Sequence, residues 1–220
     1  MERIHLTEEY PAKLAEQLIA NQIDVGLIPV AMIPRLKESY IIGEYCIGTE
    51  GAVASVALFS EVPMEQIDTV ILDYQSRTSV NLARVLLKEY WKKEVVFQDA
   101  TPDFREKIKG TTAAVVIGDR ALEQISMSAY MYDLGAAWKA HTGLPFVFAA
   151  WVANKPLDED FIDAFNKANA YGVSHIDDVL ADLNYPAYDL KKYYTENLSY
   201  PLTDEKRKGL ALFLEKLKQL

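Results

Sequence analysis

The sequence predicts an α/β fold built as two lobes, one inserted into the other. Strand-like and helix-like runs alternate for most of the length, which argues for mainly parallel strands joined by crossover helices. A block of strands stands between flanking segments, the pattern expected when one lobe interrupts another. The chain has 220 residues, 50% of them hydrophobic, enough for one large core or two small ones.

Taken in order, Ile4 to Leu6 reads as a short strand and Tyr10 to Asn21 as a helix. Ile23 to Val30 is a buried strand closed by Pro29 and Pro34, and Val53 to Phe59 is β-rich. Val70 to Asp73 is a strand that runs into a helix over Ser79 to Trp91. Glu94 to Phe97, Ala113 to Ile117 and Phe146 to Val152 are the remaining strands. Beyond Pro156 only helical periodicity is left, over Glu159 to Ala170, Ile176 to Asn184, Leu190 to Asn197 and Asp204 to Leu220. The expected division is residues 1–71 with 152–220 as the first lobe and 72–151 as the inserted second.

Charge and composition exclude several function classes. The net charge is −9 and the basic residues are scattered, so no nucleic-acid face is expected. The Lys-rich C-terminal stretch alternates with Glu and Leu as the solvated side of an amphipathic helix. Mean hydropathy is −0.05, and no apolar run reaches the ~20 residues that span a bilayer. No membrane partner is expected, and a start at Met1 to His5 without an apolar stretch gives an expectation of cytoplasmic location. The single cysteine, Cys46, forms no intrachain disulfide and reads as a small buried hydrophobe. No Cys/His cluster, Ser-His-Asp order or Gly-Lys phosphate cradle is present, so neither metal nor cofactor is expected. The oligomeric state is unknown at this level.

Four segments carry candidate chemistry. In Asp73 to Ser79, DYQSRTS, a strand enters a hydroxyl-rich turn and then a helix. Free N–H groups and the helix dipole favour an anion there, with Ser76, Arg77, Thr78 and Ser79 as donors, although Ser76 or Thr78 would serve equally as a plain cap. Tyr45 to Ser55, YCIGTEGAVAS, offers Gly48 and Gly51 for tight turns and Ser55 as a hydroxyl, or is an ordinary glycine turn. Val115 to Arg120 ends an apolar strand in Gly118-Asp119, where a ligand would sit in an open α/β sheet; Asp119 would accept a substrate hydroxyl, act as a base or cap the helix. In Asp133 to Ala149, His141 reads as a capping or surface residue.

These segments resemble, in order, the chorismate dehydratases of the futalosine route to menaquinone. DVGLIPV, CIGTEGAVASV, SRTSV, VVIGDRAL, YDLGAAWKAHTGLPFVFAAW and YYTENLSY carry the resemblance over nearly the whole chain. The resemblance implies a two-lobed periplasmic-binding-protein-like fold (type II) with chorismate clamped in the cleft. It implies a hydro-lyase that makes 3-[(1-carboxyvinyl)oxy]benzoate and water, with Ser55 at the catalytic serine. A sister family, the 1,4-dihydroxy-6-naphthoate synthases, carries a catalytic His where this chain has Ile117-Gly118-Asp119. The alternatives are that sister enzyme and a non-catalytic small-carboxylate binder of the same fold. The family also carries an Asn in a first strand ahead of the segment matched by Ile4 to Leu6. Its absence from these residues implies a first lobe without its first strand, and weak turnover or none. Three states are then expected beside Val25 to Ile28: an open gap, direct pairing with Ile4 to Leu6, or a strand borrowed from another chain.

Overall fold

The structure, a computed structural model, describes residues 4–181 and 183–220. In chain order the strands among these residues are β1 (Val25–Pro29), β2 (Tyr40–Thr49), β3 (Val56–Ser60), β4 (Thr69–Leu72), β5 (Val96–Asp99), β6 (Thr112–Ile117), β7 (Tyr130–Asp133), β8 (Phe146–Ala153) and β9 (Ser199–Pro201). The helices are α1 (Pro11–Ile19), α2 (Thr78–Glu89), α3 (Asp119–Gln124), α4 (Leu134–Thr142), α5 (Glu159–Ser174), α6 (Ile176–Leu180), the single turn α7 (Leu190–Lys192) and α8 (Asp204–Leu217). Two sheets result, with strand orders β1-β8-β2-β9 and β5-β4-β6-β3-β7.

The expectation of mainly parallel strands is corrected. Only β4 with β5 and β4 with β6 pair in parallel; every other pairing in both sheets is antiparallel. The cause is the path of the chain. It leaves the first sheet after β2, enters the second as β3, and returns as β8. Each entering strand runs against the neighbours it joins. The second sheet draws on residues 56–133, so β3 and most of β4 lie ahead of the expected boundary at residue 72. β8, expected within the inserted block, is instead an inner strand of the first sheet.

β6 shows why its apolar run, Ala113 to Val116, is continuous. Alternate side chains enter two different clusters, Ala113 and Val115 on one face and Ala114 and Val116 on the other. The first cluster extends without a break from Val115 and Leu58, through Leu82 and Leu86 of α2, to Ile28, Phe146 and Val152 of the first sheet. Trp138 of α4, Phe146 of β8 and Phe213 of α8 pack edge to face within it, with centroids 5.0 to 6.1 Å apart. Gly209 lets α8 approach this point closely, since a Cβ there would lie 2.2 Å from the Pro145 carbonyl oxygen.

At the start of the chain, Ile4 to Leu6 is not a strand. These residues pair with nothing among the described residues, and Ile4 and Leu6 are 58% and 75% exposed. β1 pairs with β8 alone, so its outer edge beside Val25 to Ile28 is open among the described residues. α1 covers one face of β1, with Leu14 packed over Gly26. Three strands escaped the sequence reading in whole or part; one is β9, within the stretch beyond Pro156 that was expected to be helical only. β2 is a ten-residue strand interrupted at Gly43, whose φ of +71° makes room for Asn166 to accept from Glu44 N. β7 is short and half-buried.

α8 is fastened by a buried lysine. Lys206 is fully enclosed, and its ammonium donates to Ser199 O, Ser199 Oγ and Pro201 O at 2.7 to 2.9 Å, with Glu50 at 3.4 Å. Replacing Lys206 by Met keeps the stem but strands these acceptors, and unsatisfied buried acceptors cost about 1–3 kcal/mol each. Urea denaturation of Lys206→Met is therefore expected to give a stability at least about 2 kcal/mol below wild type; an unchanged midpoint would mean that water replaces the ammonium freely.

Candidate functional site

One edge of the second sheet gathers most of the candidate residues. β4, β5, β6 and β7 end there and β3 begins there: Leu72 lies opposite Asp99, Ile117 opposite Val56, and Asp133 opposite Ala57. This is the end where ligands sit in open α/β sheets. Ser55, just ahead of β3, accepts from Gly118 N at 2.8 Å through its carbonyl and donates its own N–H to Val53 O at 2.7 Å. The serine and the Gly118-Asp119 turn are thus direct neighbours.

The loop that carries Ser55 is held by Asp133. Its Oδ2 accepts from Val53 N at 2.9 Å and Ala54 N at 2.7 Å, while Oδ1 accepts from Ala136 N at 2.9 Å and caps α4. Burial pushes the Asp133 carboxyl up from its ordinary value, opposed by the backbone N–H groups of Ala136, Ala54, Val53 and Gly135 that favour the anion. The same contacts hold Ala54 at φ +63°, a left-handed conformation that costs a non-glycine residue about 1–3 kcal/mol and concentrates at functional sites. Gly135 allows the tight approach, because a Cβ there would meet Gly51 O at 2.5 Å. Gly51 belongs to this turn. Gly48 does not; it lies within β2, backed by the Phe146 carbonyl and the Lys206 stem, and serves close packing.

The turn between β4 and α2 is tied to the same edge by an ion pair. Arg120 Nη2 donates to both carboxylate oxygens of Asp73, at 2.9 and 2.8 Å, and to Gln75 Oε1 at 2.8 Å. The Asp73 side chain is fully buried. Arg120 also lies over the Tyr74 and Phe104 rings. Ser76 is the helix cap: its Oγ accepts from Ser79 N at 3.0 Å. That bond occupies one N–H at the α2 start. Thr78 Oγ1 accepts from Ala31 N at 3.3 Å, so the first turn of α2 reaches the segment that follows β1 in the first sheet. Ser76, Thr78 and Ser79 are buried, whereas Arg77 is exposed with no ion pair among the described residues. Asp119 is exposed at the first position of α3 and makes no cap bond.

The C-terminal segment supplies groups that the sequence reading left out. Tyr193 donates to Ser55 Oγ at 2.8 Å. Asn197 Nδ2 donates to Ala52 O at 3.3 Å and its Oδ1 accepts from Tyr188 at 3.0 Å. Tyr185 donates to the Asp119 carbonyl at 3.1 Å. Tyr193 to Asn197 form one π-helical turn, a local departure that often marks functional sites. The available signal was the Tyr-rich YYTENLSY segment, which helical periodicity alone presents as a plain helix.

Other candidates separate from this edge. Cys46 is buried under Pro201, and burial pushes its thiol up to about 11, which leaves no thiolate for nucleophilic work. His141 pairs with Glu89 at 3.3 Å in a cluster that also includes Lys216. Two surface concavities, of about 330 and 410 Å³, are lined by other residues, among them Tyr194 and Tyr200 in one and Glu44 and Arg207 in the other.

A family model described as menaquinone biosynthesis matches residues 1–219. The chain belongs to this menaquinone-biosynthesis family. A chorismate dehydratase of Thermus thermophilus is 25% identical over 248 residues, which cover 99% of this chain and 88% of that protein. Among solved structures, a protein from Archaeoglobus fulgidus has a TM-score of 0.68 at 11% identity, covering 98% of this chain and 85% of its own. The periplasmic aliphatic sulphonate binding protein SsuA of Escherichia coli has a TM-score of 0.61 at 18% identity, covering 94% and 77%. The fold of this family member is thus that of the periplasmic substrate-binding proteins. No helix among the described residues is long and apolar enough to cross a membrane.

Asp133→Asn tests the clamp. The amide would present a donor toward one of three N–H groups, and a lost buried acceptor costs about 1–3 kcal/mol. Chemical denaturation is expected to show a loss of about 2 kcal/mol or more, and a variant as stable as wild type would mean the loop is held by other contacts.

Proposed function

We propose that this chain is a chorismate dehydratase, converting chorismate to 3-[(1-carboxyvinyl)oxy]benzoate and water. The observation that carries the reading is the buried Ser55 hydroxyl, fixed at the carboxyl edge of the second sheet beside Gly118 and within the segment most like the family's serine. Membership in a menaquinone-biosynthesis family and the chorismate dehydratase relative support it.

In this reading the substrate sits between a first lobe around the β1–β8–β2–β9 sheet and a second around residues 56–133. The reaction removes the ring C3 proton and the C4 hydroxyl, and aromatisation drives it. The C3 proton is vinylogous to the ring carboxylate, so donors on that carboxylate stabilise the negative charge that develops. Thr78, Ser79 and the α2 start take this role, with Arg77 at the rim. Ser55 donates to the departing C4 oxygen. Asp119 accepts a substrate hydroxyl. No side chain at the edge is held as a strong base, and the substrate's own side-chain carboxylate takes the C3 proton and passes it to the leaving hydroxyl, which departs as water. The protein contributes orientation and exclusion of bulk water. A cytoplasmic location belongs to the same proposal.

Incubation with chorismate, followed by chromatography of the aromatic product, tests the reaction. The product is expected above the enzyme-free rate. Ser55→Ala is expected to lower turnover by about 10²- to 10³-fold, the range for loss of one transition-state donor, an effect larger than its effect on stability. Binding of chorismate without any product would favour the non-catalytic carboxylate binder instead.

A further inference from the structure

Ser55 has little backbone freedom. Its carbonyl is taken by Gly118 N and its N–H by Val53 O, and the residue is 4% exposed. What is left to set is the direction of its hydroxyl hydrogen. A hydroxyl carries one hydrogen and two acceptor lone pairs. Tyr193 lies 2.8 Å from Ser55 Oγ, and a phenol is far more acidic than an alkanol, so the tyrosine is the donor of the pair. One lone pair of the serine is thereby filled, and its own O–H is turned away from Tyr193, free to point at a substrate oxygen.

We infer that Tyr193 is a positioning residue for Ser55, holding the serine as a hydrogen-bond donor to the substrate oxygen. This role rests on the proposed reading of Ser55. The local architecture favours a maintained contact. The π-helical turn closes with Leu198 N donating to Tyr193 O at 3.0 Å, and Asn197 on the same turn holds Ala52 of the serine loop. The Tyr193 ring is packed edge to face against Tyr188 and Tyr194, with centroids 6.4 and 5.0 Å away. Burial pushes its phenol above the ordinary value, which keeps the hydrogen on the oxygen. The assignment also fixes what Ser55 is for: a serine that accepts from a phenol is arranged to donate, not to act as a base.

The test is a double-mutant cycle with chorismate as substrate: wild type, Tyr193→Phe, Ser55→Ala and the double variant, with kcat, KM and thermal midpoint for each. Tyr193→Phe is expected to lower kcat about 10- to 100-fold with KM nearly unchanged, as for loss of an interaction made in the transition state. The double variant should match Ser55→Ala, because the phenol has nothing to orient once Oγ is gone. Tyr200→Phe, a nearby tyrosine without a bond to Ser55, should behave as wild type. If Tyr193→Phe does not fold, Tyr193→Met fills the space and supplies the same comparison. Wild-type kcat in Tyr193→Phe, or losses that multiply in the double variant, would overturn the inference while leaving the reaction standing. A wild type that leaves chorismate unchanged would bring down both.

Discussion

The Asp133 carboxylate sits where the chain's two crossings between sheets meet. The outward crossing, residues 50–55, ends in Ser55; the return crossing begins with α4 at Leu134. One oxygen of Asp133 holds the first through Val53 and Ala54, and the other caps the second through Ala136. Both crossings are bound to one side chain, which ties the serine loop to α4, and α4 is anchored by Trp138 in the shared core. The left-handed Ala54 persists because this carboxylate over-determines it. The position of the Ser55 hydroxyl follows from that constraint.

A second buried charge performs the same service for the other half of the edge. Arg120 spans from the Gly118 turn to Asp73 and Gln75, so the start of α2 is placed relative to the start of α3. An ion pair this enclosed is weak evidence for net stability, since desolvation offsets most of the attraction. Its contribution is geometric: a planar guanidinium fixes two turns at once. The edge therefore combines one anionic clamp, one ion pair and a ring of hydroxyls, with the Tyr193 segment laid across it from the C-terminal side.

Much of this was legible in the sequence. The apolar run of β6, the hydroxyl turn before α2 and the order of the motifs carried the two-lobed fold and a shared edge. Four things were not legible. Strand direction failed because local alternation reports the period of a strand and not the side from which the chain enters a sheet. β2 was hidden because Gly43 and Gly48 imitate turn signals; one makes room for Asn166 and the other for the Phe146 carbonyl, and both needs arise from residues more than ninety positions away. Tyr193 was hidden for the same reason, since its partner lies 138 residues earlier. Asp133 was read only as part of a motif; its role needs the loop that it clamps.

The most direct measurement is the position of the ligand. A crystal structure of the Ser55→Ala protein with chorismate is predicted to show the ring carboxylate at Thr78 and Ser79 and the C4 hydroxyl facing residue 55, beneath Tyr193. Chorismate bound instead in the concavity lined by Tyr194 and Tyr200, or anywhere away from the carboxyl edge of the second sheet, would contradict the account.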